Sequence, residues 1–373
     1  MRQLTEQDLK DLLAGACILG AGGGGPFSIG ESVLKDLAAL PPVVLADPSE
    51  VQETDRMAVS AFVGSPAQAE TAPLDFSAAT LAYDLLATTL GVTFTHVLPG
   101  EVGAGNSLIP LTVGARKGLP VVDAAGGRRA CPGLLMDTYA GNRVPVSPMA
   151  IASQSQQVVV SKMDNSVADP VARGVIGGAF NQSAGVAMWS MDGKTMKAAA
   201  VGGTTTYALA LGATLRRAVG CGRDPVAAVV DFLGGVVLLQ GTIASVSEVS
   251  RGAFDFGKVT LRSADGTEAT IFSQNENLIA WGNRRSQPLA MAPDLICFLT
   301  SEGQVFSNAD FSMLPKNAEV AVIGQPSIPQ MRTPFIIDQF MKAVAATGYG
   351  GPYVEIEKLN PWPGGNGQVT SDV

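Results

Sequence analysis

Glu101 is the second residue of the stretch "GEVGAGNSLIP", and Asp123 and Arg129 stand six residues apart in "DAAGGRRACPG". A carboxylate such as Glu101 or Asp123 serves as a base toward water. A guanidinium such as Arg129 grips a carboxylate or polarised carbonyl at two points and stabilises a developing anion. The alternative for Asp123 and Arg129 is a structural ion pair. Asn106 or Ser107 has the chemistry of an N-cap for the helix that follows, whose unpaired N–H groups suit an anion. Ser107 is a poor candidate nucleophile, because "GNSLI" is not a G-x-S-x-G elbow. A later stretch, "FSQNENLIAW", places Asn275, Glu276 and Asn277 after a strand, where a solvated turn explains them as well as a pocket does.

The glycine run "ILGAGGGGPFSIG" puts Gly20, Gly22 and Gly25 in G-x-G-x-x-G register, and Asp47 follows Gly25 by 22 residues, the spacing of a ribose-binding acid. Against a dinucleotide site, the leading apolar stretch is only about four residues long and Pro26 follows the last glycine. Three uses stay open: a tight structural turn, a dinucleotide cradle, or amides of Gly22, Gly23, Gly24 and Gly25 donated to another oxygen-rich ligand.

Composition narrows the field. His96 is the single histidine, so zinc centres built on two or more histidines are excluded, and Cys17, Cys131, Cys221 and Cys297 lack metal-ligand spacing. No metal site and no cofactor are expected. The net charge of −8 and the absence of any basic run argue against nucleic acid. No apolar run approaches the ~18 residues needed to cross a bilayer, and the amphipathic amino terminus is not a secretory signal. With unpatterned cysteines, these features point to a cytoplasmic protein acting on a small molecule.

These residues need a scaffold that brings loops to one edge. From Val43 to Ala125, apolar strands alternate with helices of 10–15 residues, the pattern of βαβ units. The expected fold is a layered α/β body with a mainly parallel sheet plus a smaller β-barrel-like domain. In such a sheet, ligands bind beyond the carboxyl ends of the strands, where the glycine loop, Asp47, Glu101 and Asp123 all fall. From about Leu233 short strands crowd together, with "ADG" (264–266) as a hairpin turn. The predicted division is an α/β domain over 1–232, a β-barrel-like domain over 233–326, and a helix and strand over 327–373 that return to the body before a tail.

The strings "ILGAGGGGP", "GNSLIPLTVGARKGLPVVDAAGGRRACPG", "GRDPVAAVVDFLGG", "FSQNENLIAW" and "PDLICFL" occur in this order. Together they resemble the S-methyl-thiohydantoin desulfurase-like family, which is associated with hydantoinase and oxoprolinase proteins. The resemblance spans roughly residues 8 to 355 and implies an α/β domain joined to a small β-barrel. It implies a hydrolytic, desulfurase-like enzyme acting on a hydantoin or thiohydantoin ring but assigns no catalytic residue; the residues themselves offer Glu101 or Asp123 as base, with Arg129 and the glycine-loop amides holding the anion. Some relatives carry an acid just after the glycine run, where this chain has Pro26 and Phe27. Two other functions stand beside it: a non-catalytic accessory subunit of a hydantoinase or oxoprolinase partner, and a nucleotide-dependent oxidoreductase. Homo-oligomerisation is a further expectation.

Overall fold

A computed structural model describes residues 1–64, 75–180, 183–251 and 254–361; most of the expected tail lies outside them. Ten strands belong to the body: β1 (Arg2–Gln3), β2 (Val44–Ala46), β3 (Arg56–Gly64), β4 (His96–Pro99), β5 (Val121–Val122), β6 (Ala124–Ala125), β7 (Met149–Ala152), β8 (Gln157–Val160), β9 (Ser183–Asp192) and β10 (Val201–Gly202). Eight of them form one sheet in the order β1-β2-β5-β4-β3-β9-β7-β8. Its centre, β2-β5-β4-β3, is parallel, and the β9, β7 and β8 flank is antiparallel. β6 and β10 pair separately.

Because successive strand residues face opposite sides, the sheet feeds two cores. Ala58, Val97 and Val121 join the layer of helices Glu6–Leu19, Ser77–Leu90 and Ile109–Lys117. Met57, Leu98 and Val122 join the other, with Tyr139, Ile176 and Trp189.

The remaining strands are β11 (Val236–Arg251), β12 (Phe254–Arg262), β13 (Glu268–Gln274), β14 (Glu276–Gly282), β15 (Pro288–Met291), β16 (Leu295–Thr300) and β17 (Glu319–Gln325). They form an antiparallel sheet in the order β15-β14-β13-β12-β11-β17-β16 that curls into a half-barrel. Alternation again divides β16: Ile296 and Phe298 fill the half-barrel, whereas Leu295, Cys297 and Leu299 pack outward on the helical layer of the body. The two sheets therefore share a buried seam.

Three local expectations are revised. Ala16–Leu19 is not a strand but the last turn of the helix Glu6–Leu19, whose Thr5 N-cap forms a reciprocal capping box with Asp8; a short apolar run does not by itself distinguish the two. The segment "YVEIEKL" holds a helical turn, Ile356–Leu359, rather than a strand. The helix Pro334–Ala345 lies against the half-barrel, where Phe340 and Val344 pack with Ile279 and Met291, and it meets the body through Met136.

Candidate active site

The glycine run joins two helices, Glu6–Leu19 and Phe27–Leu37, so it is not the strand-to-helix turn of a dinucleotide fold. The N–H of Phe27, at the start of the second helix, already donates to the Asp310 carboxylate. The loop instead meets the Gly103–Gly105 backbone: the Gly24 carbonyl accepts from the N–H groups of Gly105 (2.9 Å) and Asn106 (3.2 Å). Gly24 has φ of +70°, and a Cβ there would stand 2.5 Å from the Gly103 Cα, so only glycine permits this approach. The Gly22 carbonyl accepts from the Asn308 N–H.

One amide of the loop does face a carboxyl oxygen, and that oxygen belongs to the protein. The Gly24 N–H donates to Glu276 Oε1 at 3.1 Å. Glu276 begins β14 and reaches from the half-barrel so close to the loop that a Cβ on Gly23 would lie 2.0 Å from Oε1. Glu276 is 3% exposed, and its Oε2 has no hydrogen-bond partner among the described residues. Burial, reinforced by the Glu101 charge, pushes its carboxyl up to about 8.

Gly24, Gly25, Glu101, Asn106, Arg129 and Glu276 line one cleft of roughly 1090 Å3, counting its open mouth. Glu101 follows β4 and is half-buried. Its Oε1 accepts from Asn106 Nδ2 at 2.8 Å and its Oε2 from the Cys131 N–H at 2.9 Å. Burial is the larger influence and raises its carboxyl above the usual range too, offset in part by these two donors and the nearby Arg173 and Arg129. Asn106 is not an N-cap: its amide exchanges two hydrogen bonds with the Phe62 backbone and so fixes Glu101 to the end of β3.

Other expected residues do different work. Arg129 is 2% exposed, and its guanidinium donates to the carbonyls of Ala130, Asn277, Pro293 and Asp294. It forms no ion pair with a carboxylate among the described residues and is committed to the seam between body and half-barrel. Asp123 lies outside the cleft lining, where its Oδ1 caps the helix Thr204–Gly220 through the N–H groups of Thr205 and Thr206. Asp47 is a surface N-cap that accepts from the Ser49 N–H. Ser107 Oγ accepts from the Gly103 N–H and braces the loop.

The structure adds cleft residues not singled out in the sequence. Arg173, on the helix Ala168–Ala179, lies 3.6 Å from the Phe254 ring centroid and is ion-paired with Asp169. Asp137 and Cys131 also line the cleft; burial holds the Asp137 carboxyl well above its ordinary range and pushes the Cys131 thiol far up, so Cys131 is no ready thiolate. Phe62, Phe76, Ile109 and Trp189 supply apolar wall. Among the described residues, no three His, Cys, Asp or Glu side chains are grouped to hold a metal, and no helix is long and apolar enough to cross a membrane.

Family models for the S-Me-THD-like N-terminal and C-terminal domains match residues 7–163 and 163–352. The chain belongs to the S-Me-THD-like family. The family boundary at 163 does not separate the sheets, because β9, from the C-terminal part, inserts between β3 and β7 of the N-terminal part. An X-ray crystal structure of a protein from Chromobacterium violaceum, a structural-genomics target, is 29% identical with a TM-score of 0.82; the match covers 95% of this chain and all of that one. No protein with a curated description matches the chain.

Of the cleft carboxyls, Glu101 therefore comes from the body and Glu276 from the half-barrel, and the two differ in setting. Both lie near Arg129 and Arg173, but Glu101 has two neutral donors, whereas Glu276 has one amide and an Oε2 without a partner among the described residues. Such a pair divides into base and acid.

Proposed function

We propose that the cleft hydrolyses a five-membered cyclic amide of the hydantoin class, with an S-methyl-thiohydantoin as the substrate suggested by the family. The observation that carries this reading is the pairing of Glu101 with Glu276. At neutral pH Glu101 is the base and Glu276, with its carboxyl raised to about 8, holds a proton.

In the first step Glu101 takes a proton from water as the water oxygen bonds to the sulfur-bearing ring carbon. Glu276 gives its proton to the ring nitrogen as the C=N double bond opens. In the second step the new hydroxyl returns a proton to Glu276 and a carbonyl forms. The carbon–sulfur bond breaks, and methanethiolate leaves with the proton held by Glu101. The ring has gained oxygen and lost a thiol, and both carboxyls are back in their starting forms. The apolar wall formed by Phe62, Phe76 and Ile109 suits a substituted ring and limits water to the reacting face.

Release of methanethiol from an S-methyl-thiohydantoin, followed with a thiol reagent, tests the reading. Wild-type protein turns the substrate over. Glu101→Gln keeps binding but loses at least about a hundredfold in kcat, the low end of what a positioned base contributes. A Glu101→Gln protein as active as wild type contradicts the assignment, and a wild type that binds the ring without turnover points to an accessory binding subunit.

A further inference from the structure

Trp189 forms part of the cleft wall and is 2% exposed, yet its Nε1–H has no hydrogen-bond partner among the described residues. A buried indole N–H ordinarily finds an acceptor. The backbone is also unusual here. Trp189 has φ of +46°, a conformation that a bulky residue keeps only where its surroundings over-determine it. It lies in a bulge of β9: between the pairs Met57–Met191 and Val59–Met188, β9 carries one residue more than β3. A bulge re-aims a side chain. The indole is held by the tilted ring of Tyr139 at 5.4 Å between centroids, and the Tyr139 hydroxyl is tied to the Pro99 carbonyl at the end of β4, two residues before Glu101. The bulge, the strained backbone and the aromatic brace thus converge on one unpartnered donor in the cleft wall.

We infer that Trp189 is a specificity-determining donor, whose indole N–H binds the ring carbonyl that the reaction leaves intact. This rests on the proposed hydantoin chemistry and goes beyond it in naming what the cleft selects. A ring with a carbonyl across one nitrogen from the reacting carbon satisfies the donor, whereas a ring without that carbonyl leaves it unpaired. Sites built on a buried donor discriminate strongly against analogues that lack the acceptor.

Hydantoin and imidazolidin-2-one, which lacks the second carbonyl, are the probes, titrated calorimetrically into wild type and Trp189→Phe. Wild type binds hydantoin at least about tenfold more tightly than imidazolidin-2-one, and Trp189→Phe loses that preference by weakening hydantoin alone. Circular dichroism of the variant reports whether it folds. Independently of any variant, an indole 15N–H resonance of the wild type moves downfield on saturation with hydantoin and stays in place with imidazolidin-2-one. An undiminished preference in folded Trp189→Phe, or indole resonances unmoved by bound hydantoin, overturns the role of Trp189 alone. A wild type that binds neither ring overturns this inference together with the reading beneath it.

Discussion

At the scale of single residues, the account turns on one carboxyl placed in two environments by folding. In the unfolded chain Glu276 titrates near 4.5; folded, it is raised to about 8. Between those values the folded protein keeps a proton that the unfolded chain has released, so stability falls as pH rises from about 5 to about 8. Glutamine cannot ionise but retains the oxygen that accepts from Gly24. Glu276→Gln should therefore show a flatter dependence of Tm on pH and gain on wild type toward pH 8, as measured by thermal unfolding across that range. An equally steep slope in the variant would place the Glu276 shift in error. Little of this was legible in sequence. "FSQNENLIAW" attracts notice, but nothing in its local spacing tells a solvated turn from a strand start that enters a cleft shared with Glu101. The place of Glu101 and Asn106 in the cleft lining was legible because a glycine-rich loop after a strand in a parallel sheet faces that edge. Asp123 shares that context and differs only in having a helix start, Thr204–Gly220, within reach of its carboxylate.

At the scale of elements, the glycine run is a device for bringing two loops into backbone contact and holding Glu276. Gly24→Ala forces a Cβ against the Gly103 backbone and leaves alanine at φ of +70°. It should cost about 2 kcal/mol or more in urea unfolding and disturb the pH behaviour of Glu276, whose amide partner moves. A variant as stable as wild type would mean that the loops separate without penalty. The G-x-G-x-x-G register announced a tight turn correctly but not its purpose. The deciding fact was the length of the preceding helix, and a four-residue apolar run cannot declare whether it ends a helix or makes a strand.

At the scale of the whole molecule, the cleft exists because the half-barrel docks on the body. Strand density after Leu233 made the half-barrel itself legible, but the seam was not, since Arg129 looks in sequence like a ligand-binding cation. Four backbone carbonyls claim its guanidinium, three of them from the half-barrel. Arg129→Ala should destabilise the protein by about 3 kcal/mol, seen as a lower urea midpoint, because buried carbonyls lose their donors. Unchanged stability with weakened ligand binding would return Arg129 to the ligand.

The claim that most depends on this docking is that Glu276 carries a proton at neutral pH beside Glu101. Carbon-13 NMR titration of glutamate side-chain carboxyls in the folded protein measures it directly. One glutamate resonance should titrate near pH 8 and be missing from Glu276→Gln; a spectrum in which every glutamate carboxyl is fully ionised by pH 6 would contradict the account.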